Sequence, residues 1–151
     1  MNDLIGARIA TYRFEVSIAR GASDVWTCMT DDIDAWWMTG FRALGADSRV
    51  SLSAEAGGQL IERASNGDSL QWYRVQMVSP GRSLHLVGDI APDWGGPTTS
   101  MLKLELEDRA RGCALIVSDA LVGNVTEASA DRAEAGWKKL FGEGLKRFVE
   151  P

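Results

Sequence analysis

The chain has 151 residues, 45% of them hydrophobic and 25% charged, an ordinary balance for a globular domain with a sizeable core. Its net charge of −5, its pI near 4.9 and the lack of any Lys/Arg cluster exclude the basic face that nucleic-acid binding and docking on anionic membranes require. The six tryptophans are the unusual feature: they are large, rigid and mostly apolar, so they must be buried or must line something.

Residues Met1–Ala10 hold no long apolar run and carry Asp3, so neither a signal peptide nor a membrane anchor is expected there. No later stretch is apolar for the length a bilayer span needs, which makes the cytoplasm the expected location. Cys28 and Cys113 lie far apart and form no CxxC pair; both are expected to be reduced and buried.

Along the chain, Thr11–Ala19 alternates Tyr12, Phe14, Val16 and Ile18 with Arg13, Glu15 and Ser17, a strand with one buried face that Gly21 ends. Ser23-Asp24 is expected to cap a helix over 24–30, and the acidic pair Asp31-Asp32 a second one over 33–37. Val25, Trp26, Met29, Ile33, Trp36 and Trp37 recur at helical spacing, while 38–49 reads as a loop. From Arg49 the pattern is all strand: Val50 and Leu52 alternate, Gly57-Gly58 opens a run to Ala64, and Asn66-Gly67-Asp68 is a hairpin signal. Strands follow over 70–78, 83–90, 101–107 and 113–122, with turns at Pro80-Gly81 and Arg111-Gly112 and a Gly/Pro loop around Trp94. Thr126, with Glu127 behind it, starts a last helix that runs to Val149. The expected architecture is α+β: a six- or seven-stranded antiparallel meander, a helical insertion after its first strand, and a long C-terminal helix.

At about 100° per residue, Thr126, Ala130, Ala133, Trp137, Leu140, Phe141, Gly144, Leu145 and Phe148 share one stripe of that helix. The first half of the stripe is small and the second half bulky. A helix of this kind laid on a sheet leaves room beside its small residues, unless sheet side chains such as Tyr12, Phe14 and Tyr73 fill it. Gly136, Gly142 and Gly144 each cost about 1 kcal/mol against Ala in a helix. Close approach or a bend explains Gly144; nothing in the sequence explains Gly142.

The order of these motifs resembles the SRPBCC superfamily, also called START-like or birch-pollen-allergen-like. The resemblance rests on Ser23-Asp24-Val25-Trp26, Trp36-Trp37, Gly57-Gly58, Asn66-Gly67-Asp68, 75–80 leading into Arg82-Ser83-Leu84, and Gly136-Trp137 in a Leu/Phe-rich helix. It covers residues 10–150, as a single domain over 1–151. Within the superfamily the chain looks most like the family of the activator of the heat-shock-protein-ninety ATPase. The resemblance implies a helix-grip fold: a curved sheet around the C-terminal helix, with an apolar pocket between them. Relatives bind lipids, hormones or polyketides, cyclise or hydrolyse small molecules, or act as co-chaperones, so fold alone does not choose a function. Tyr73 stands where a small residue is common and is expected to narrow the pocket. The additional N-terminal domain of the eukaryotic co-chaperones has no counterpart here, which speaks against direct ATPase activation.

Residue chemistry narrows the options. With one histidine, His85, and no cysteine pair, neither a zinc site nor any cofactor is expected. His85 lies between Leu84 and Leu86, which claim the buried face, and it reads as an outer-face residue. Ser118 and Asp119 are adjacent on a strand and point to opposite faces. No GxSxG elbow and no P-loop are present. Carboxylates that can face inward are Asp119 and Glu62, with Arg63 and Arg74 as inward or rim cations. A carboxylate in an apolar pocket suits acid–base chemistry, and an ion pair or solvent-face charge is the plain alternative.

The primary expectation is binding of a small, mostly hydrophobic, lipid- or polyketide-like molecule. The expected walls are Phe14, Trp36, Trp37, Tyr73, Val75, Leu86, Trp94, Leu104, Val117, Ala130, Ala133 and Trp137, with Asp119 as polar contact and 93–96 as a lid. The alternatives are a metal-independent cyclase or hydrolase in the same pocket and a chaperone-linked interaction module. Self-association as a homodimer through a sheet edge or the helix surface is left open.

Overall fold

A computed structural model describes residues 2–150; the outermost residues of the domain expected over 1–151 lie outside them. Seven strands form one antiparallel sheet: β1 (Arg8–Ile18), β2 (Arg49–Leu52), β3 (Gln59–Arg63), β4 (Ser69–Ser79), β5 (Ser83–Ile90), β6 (Thr98–Arg109) and β7 (Gly112–Gly123). Their order is β1-β7-β6-β5-β4-β3-β2, a meander from β2 to β7 with β1 added beside β7. That addition is anchored along its whole length, from Arg8 opposite Gly123 to Ile18 opposite Cys113.

Between β1 and β2 lie helices α1 (Ala22–Thr30) and α2 (Ile33–Trp36) and a short 3-10 turn, Thr39–Phe41, inside the stretch expected to be loop. Neither cap follows expectation. Gly21, not Ser23, is the N-cap of α1, and Asp32 caps α2 in position only, with no side-chain hydrogen bond at either. The entry of α1 is fixed instead by packing, since Val25 and Met29 are fully buried.

Thr126 does cap the last helix, α3 (Glu127–Lys139): its hydroxyl accepts from the Ser129 N–H, and the Ser129 hydroxyl accepts from the Thr126 N–H. α3 runs without a break through a π-helical stretch, Leu140–Leu145, into α4 (Lys146–Val149). The π-helical stretch corrects the helical wheel. Its wider turn rotates everything after it, so Val149 is 3% exposed and buried while Phe148, expected on the stripe, is 44% exposed. The cause is close approach: a Cβ on Gly144 would stand 2.6 Å from the Trp36 carbonyl oxygen, so only glycine lets the helix lie against α2. A Cβ on Gly142 would meet nothing within 4 Å, and this glycine plays no such part.

The core fills the space between the concave face of the sheet, α1, α2 and the second half of the long helix. Leu140, Phe141 and Leu145 are buried there, each contributing about 1.5–3 kcal/mol. Aromatic rings form its spine: Trp137 stacks on Phe141 at 5.4 Å, Trp36 lies 5.9 Å from Phe141, and Trp37 5.6 Å from Trp72. The end of the helix is tied to β1 by Lys146, which donates to the Ser17 carbonyl, and by Glu150, which accepts from the Ala19 N–H at 2.7 Å. Cys113 is buried as expected, but Cys28 is only half-buried on α1; both thiols are free. No described helix is long and apolar enough to cross a membrane.

Candidate functional site

A cavity of about 440 Å³ opens where the middle and second half of α3 pass over β4–β7. Its helix wall is Arg132, Ala133, Gly136 and Trp137; its strand walls include Leu70–Tyr73 on β4, Gly88–Ile90 on β5, Ser100 on β6, and Asp119 and Leu121 on β7. Phe41 and Ala43 close one side and Trp94 stands at the rim. The small residues of the helix wall are what leave this space.

Local irregularities of β4 decide which side chains reach it. A bulge at Trp72 shifts the register with β3, since Leu60 faces Tyr73 but Ile61 faces Gln71. The extra residue switches the inward phase from Leu70 and Trp72 to Tyr73 and Val75, so both neighbouring aromatics meet the cavity. On β5, Gly88 makes room for Tyr73: a Cβ there would lie 2.8 Å from the Tyr73 ring and 2.5 Å from the Trp72 carbonyl oxygen. The ring therefore crosses β5 and reaches β6, where its hydroxyl meets Ser100 Oγ at 2.8 Å.

Ser100 belongs to a polar chain on the cavity floor. Ser100 Oγ donates to Asp119 Oδ1 at 2.8 Å, and Tyr12 Oη donates to Asp119 Oδ2 at 2.6 Å. Asp119 is 4% exposed. Burial raises its proton affinity above that of an ordinary aspartate, although the bonds from Tyr12, Ser100 and the Ala120 N–H oppose the shift. Burial and Asp119 push both phenols, Tyr12 and Tyr73, well above the usual tyrosine range, so both remain protonated. The cavity's other carboxyl, Asp89, is displaced in the opposite direction: bonds from Thr99 and Arg74 hold it below the usual range at the exposed rim.

The inward acid of β3, Glu62, has a structural task. It is 0% exposed and accepts four hydrogen bonds, from the Ala43 and Leu44 N–H groups, the Ser48 hydroxyl and the Trp72 indole. Burial alone would raise its carboxyl, but these donors outweigh it and hold the group charged, below the usual range. It fixes Trp72 and, by holding the 43–48 segment, Ala43, both of which line the cavity. Next to it, Arg42 donates to Asp34 Oδ1 at 2.9 Å and to the carbonyls of Asp34, Trp37 and Ser48, so that α2 is joined to the same segment.

Of the residues expected to form the pocket, Tyr73, Trp94, Asp119, Ala133 and Trp137 line this cavity. Trp36, Trp37, Leu86 and Leu104 surround a void of only about 20 Å³ deeper in the core. Phe14, Val75 and Val117 are packed core, and Ala130 faces a separate shallow cleft against β1. The 93–96 loop is tethered at its base, where the Asn124 amide donates to the Gly95 carbonyl at 3.1 Å and the Gly96 carbonyl at 3.3 Å. Its Trp94 is 63% exposed. His85 sits half-buried on the outer face between Met77 and Lys103. Arg63 and Arg74 are exposed on that face as well. Sequence reasoning missed Ser100, Gly88 and Trp72. The strand phase of β6 pointed at Ser100; the bulge that turns Trp72 inward and the ring lying over Gly88 left no sequence signal.

Solved structures share this architecture. An AHSA1-like protein from Aeromonas hydrophila matches 93% of the chain and 92% of its own length at 20% identity, with a TM-score of 0.61. The fold is a helix-grip fold. Other helix-grip structures agree: the Mll3558 protein of Rhizobium loti (TM-score 0.71, 20% identity, 95% of this chain and 99% of that one) and CalU16 of Micromonospora echinospora (0.63, 19%, 95% and 75%). No family model matches the sequence, and no curated protein matches it. At such identities the likeness establishes the helix-grip fold and leaves function to the site.

Proposed function

We propose that this helix-grip protein binds a small, mostly hydrophobic molecule between the sheet and the Arg132–Trp137 stretch of α3. The observation that carries this reading is the cavity itself: about 440 Å³, walled by aromatic and aliphatic side chains, with a few polar groups gathered on its floor. Its volume suits a molecule of lipid-fragment or polyketide-like size. Trp94 at the rim supplies a stacking surface over the entrance. Native mass spectrometry beside the denatured mass tests the reading, together with an Ala133→Trp variant that fills the cavity. Extra mass that is lost on denaturation and absent from the variant supports it. A bare mass, combined with equal uptake of an apolar fluorescent probe by both proteins, overturns it.

A second reading, an acid–base enzyme in the same cavity, is favoured by the opposite displacement of Asp119 and Asp89. Environments that separate two carboxyls in this way assign one as proton donor and the other as base or stabiliser. Turnover of a bound compound that is lost in Asp119→Asn, with binding kept, would select it over simple binding. The likeness to the AHSA1-like protein is the support for a chaperone-linked module. The large exposed apolar side chains away from the cavity are Leu4, Ile5 and Ile9 near the start of the chain, Met77 on β4, Met101 on β6 and Phe148 on α4.

A further inference from the structure

The floor of the cavity has a hydrogen-bond direction. Asp119 accepts on both oxygens: Tyr12 Oη donates to Oδ2 and Ser100 Oγ to Oδ1. A serine hydroxyl has one proton, and here Asp119 takes it. The contact between Ser100 Oγ and Tyr73 Oη at 2.8 Å must then be donated by Tyr73, which uses the only proton of the phenol. Among the described residues Tyr73 Oη has no other partner. A phenol oxygen whose proton is committed inward can offer the cavity only a lone pair.

Gly88 makes the arrangement rigid. The Tyr73 ring passes within 2.8 Å of where a Cβ on residue 88 would be, and Trp137 stands 6.0 Å from it on the helix side. The ring is held between strand and helix, so its hydroxyl cannot swing to a new donor. A proton on Asp119 Oδ2, shared with Tyr12, leaves Oδ1 accepting from Ser100 and the direction unchanged. A ligand atom that cannot donate leaves this lone pair without a partner once the ligand covers it, which costs binding free energy.

We propose that the Tyr73–Ser100–Asp119 chain selects a ligand carrying a hydroxyl group, an alcohol or phenol on an otherwise hydrocarbon body, over one that presents only ether or carbonyl oxygens. This rests on the ligand-binding reading. The test uses 2-naphthol and its methyl ether, 2-methoxynaphthalene, titrated calorimetrically into wild-type protein, Tyr73→Phe and Ser100→Ala at neutral pH. The naphthol should bind wild type at least about tenfold more tightly than the ether, as expected for one hydrogen bond gained against one lone pair left unmatched. Tyr73→Phe should bind both and bring the ratio close to one. Ser100→Ala frees the Tyr73 proton to point into the cavity and should bring the ratio down in the same way, since Tyr73 can then donate to the ether. Comparing two ligands on one variant cancels any change in the fraction folded. Equal binding of both ligands by wild type, or an unchanged preference in Tyr73→Phe, overturns the proposal and leaves ligand binding standing. Binding of neither ligand by wild type overturns both.

Discussion

Glu62→Gln is the substitution whose effect can be worked out most fully. Glu62 Oε1 accepts the Ala43 N–H and the Trp72 indole N–H, each at 3.0 Å; Oε2 accepts the Leu44 N–H at 2.8 Å and the Ser48 hydroxyl at 2.7 Å. Glutamine must put its NH₂ in place of one oxygen. At Oε1 the NH₂ would face two N–H groups, neither of which can accept. At Oε2 it faces one such group and a hydroxyl that can turn and accept. The amide therefore settles with NH₂ at Oε2, and the Leu44 N–H loses its acceptor. A buried donor left without a partner costs about 1–3 kcal/mol, and the surviving bonds lose their charge assistance at about 0.5 kcal/mol each. The expected loss is about 3 kcal/mol, or a Tm lower by about 6–12 °C in a chain of this size. Urea denaturation at neutral pH, followed by tryptophan fluorescence, measures it. The pH dependence has a definite sign. The folded-state proton affinity of Glu62 is depressed, so its contribution is present above the unfolded value, about 4.3, and is lost as pH falls through the folded value. The wild-type and variant stabilities should converge on acidification. A loss under about 1 kcal/mol, or a gap that stays constant with pH, refutes this account of Glu62.

Three further outcomes are expected. Gly88→Ala places a Cβ 2.5 Å from the Trp72 carbonyl and 2.8 Å from the Tyr73 ring; it should cost about 1–3 kcal/mol, and the naphthol preference should vanish with it. Gly144→Ala should cost about 1–3 kcal/mol by meeting the Trp36 carbonyl at 2.6 Å, whereas Gly142→Ala, with open space around it, should be neutral or gain up to about 1 kcal/mol; thermal melts distinguish the two. Asp119 should titrate by carboxyl-resolved NMR above the ordinary aspartate value of about 3.9. With a raised folded value the native state binds more protons in that window, so stability falls as pH rises from the unfolded to the folded value, and Asp119→Asn should remove this slope. A slope unchanged in the variant would assign it to another group.

Much of the architecture was legible because the chain's periodicities are strong. Alternation marked most of the strand faces, the Asn66-Gly67-Asp68 turn marked a hairpin, and Thr126 marked the start of the last helix. Ala133, in the small half of the helix stripe, signalled where space would lie, because side-chain volume along a helix is a one-dimensional property. The inward phase of β7 likewise picked out Asp119. What the sequence could not express were departures from regular period. A π-helical stretch exchanged Phe148 for Val149, and a bulge in the β3–β4 pairing turned Trp72 inward. The caps of α1 and α2 failed as well, since packing of Val25 and Met29 set the helix start in place of a side-chain cap. Sequence could name Glu62 and Asp119 as inward carboxylates, but not separate their roles. That depends on how many donors each one meets in three dimensions: four fixed donors anchor Glu62 as a charged brace, while Asp119 shares its oxygens with the hydroxyls that floor the cavity.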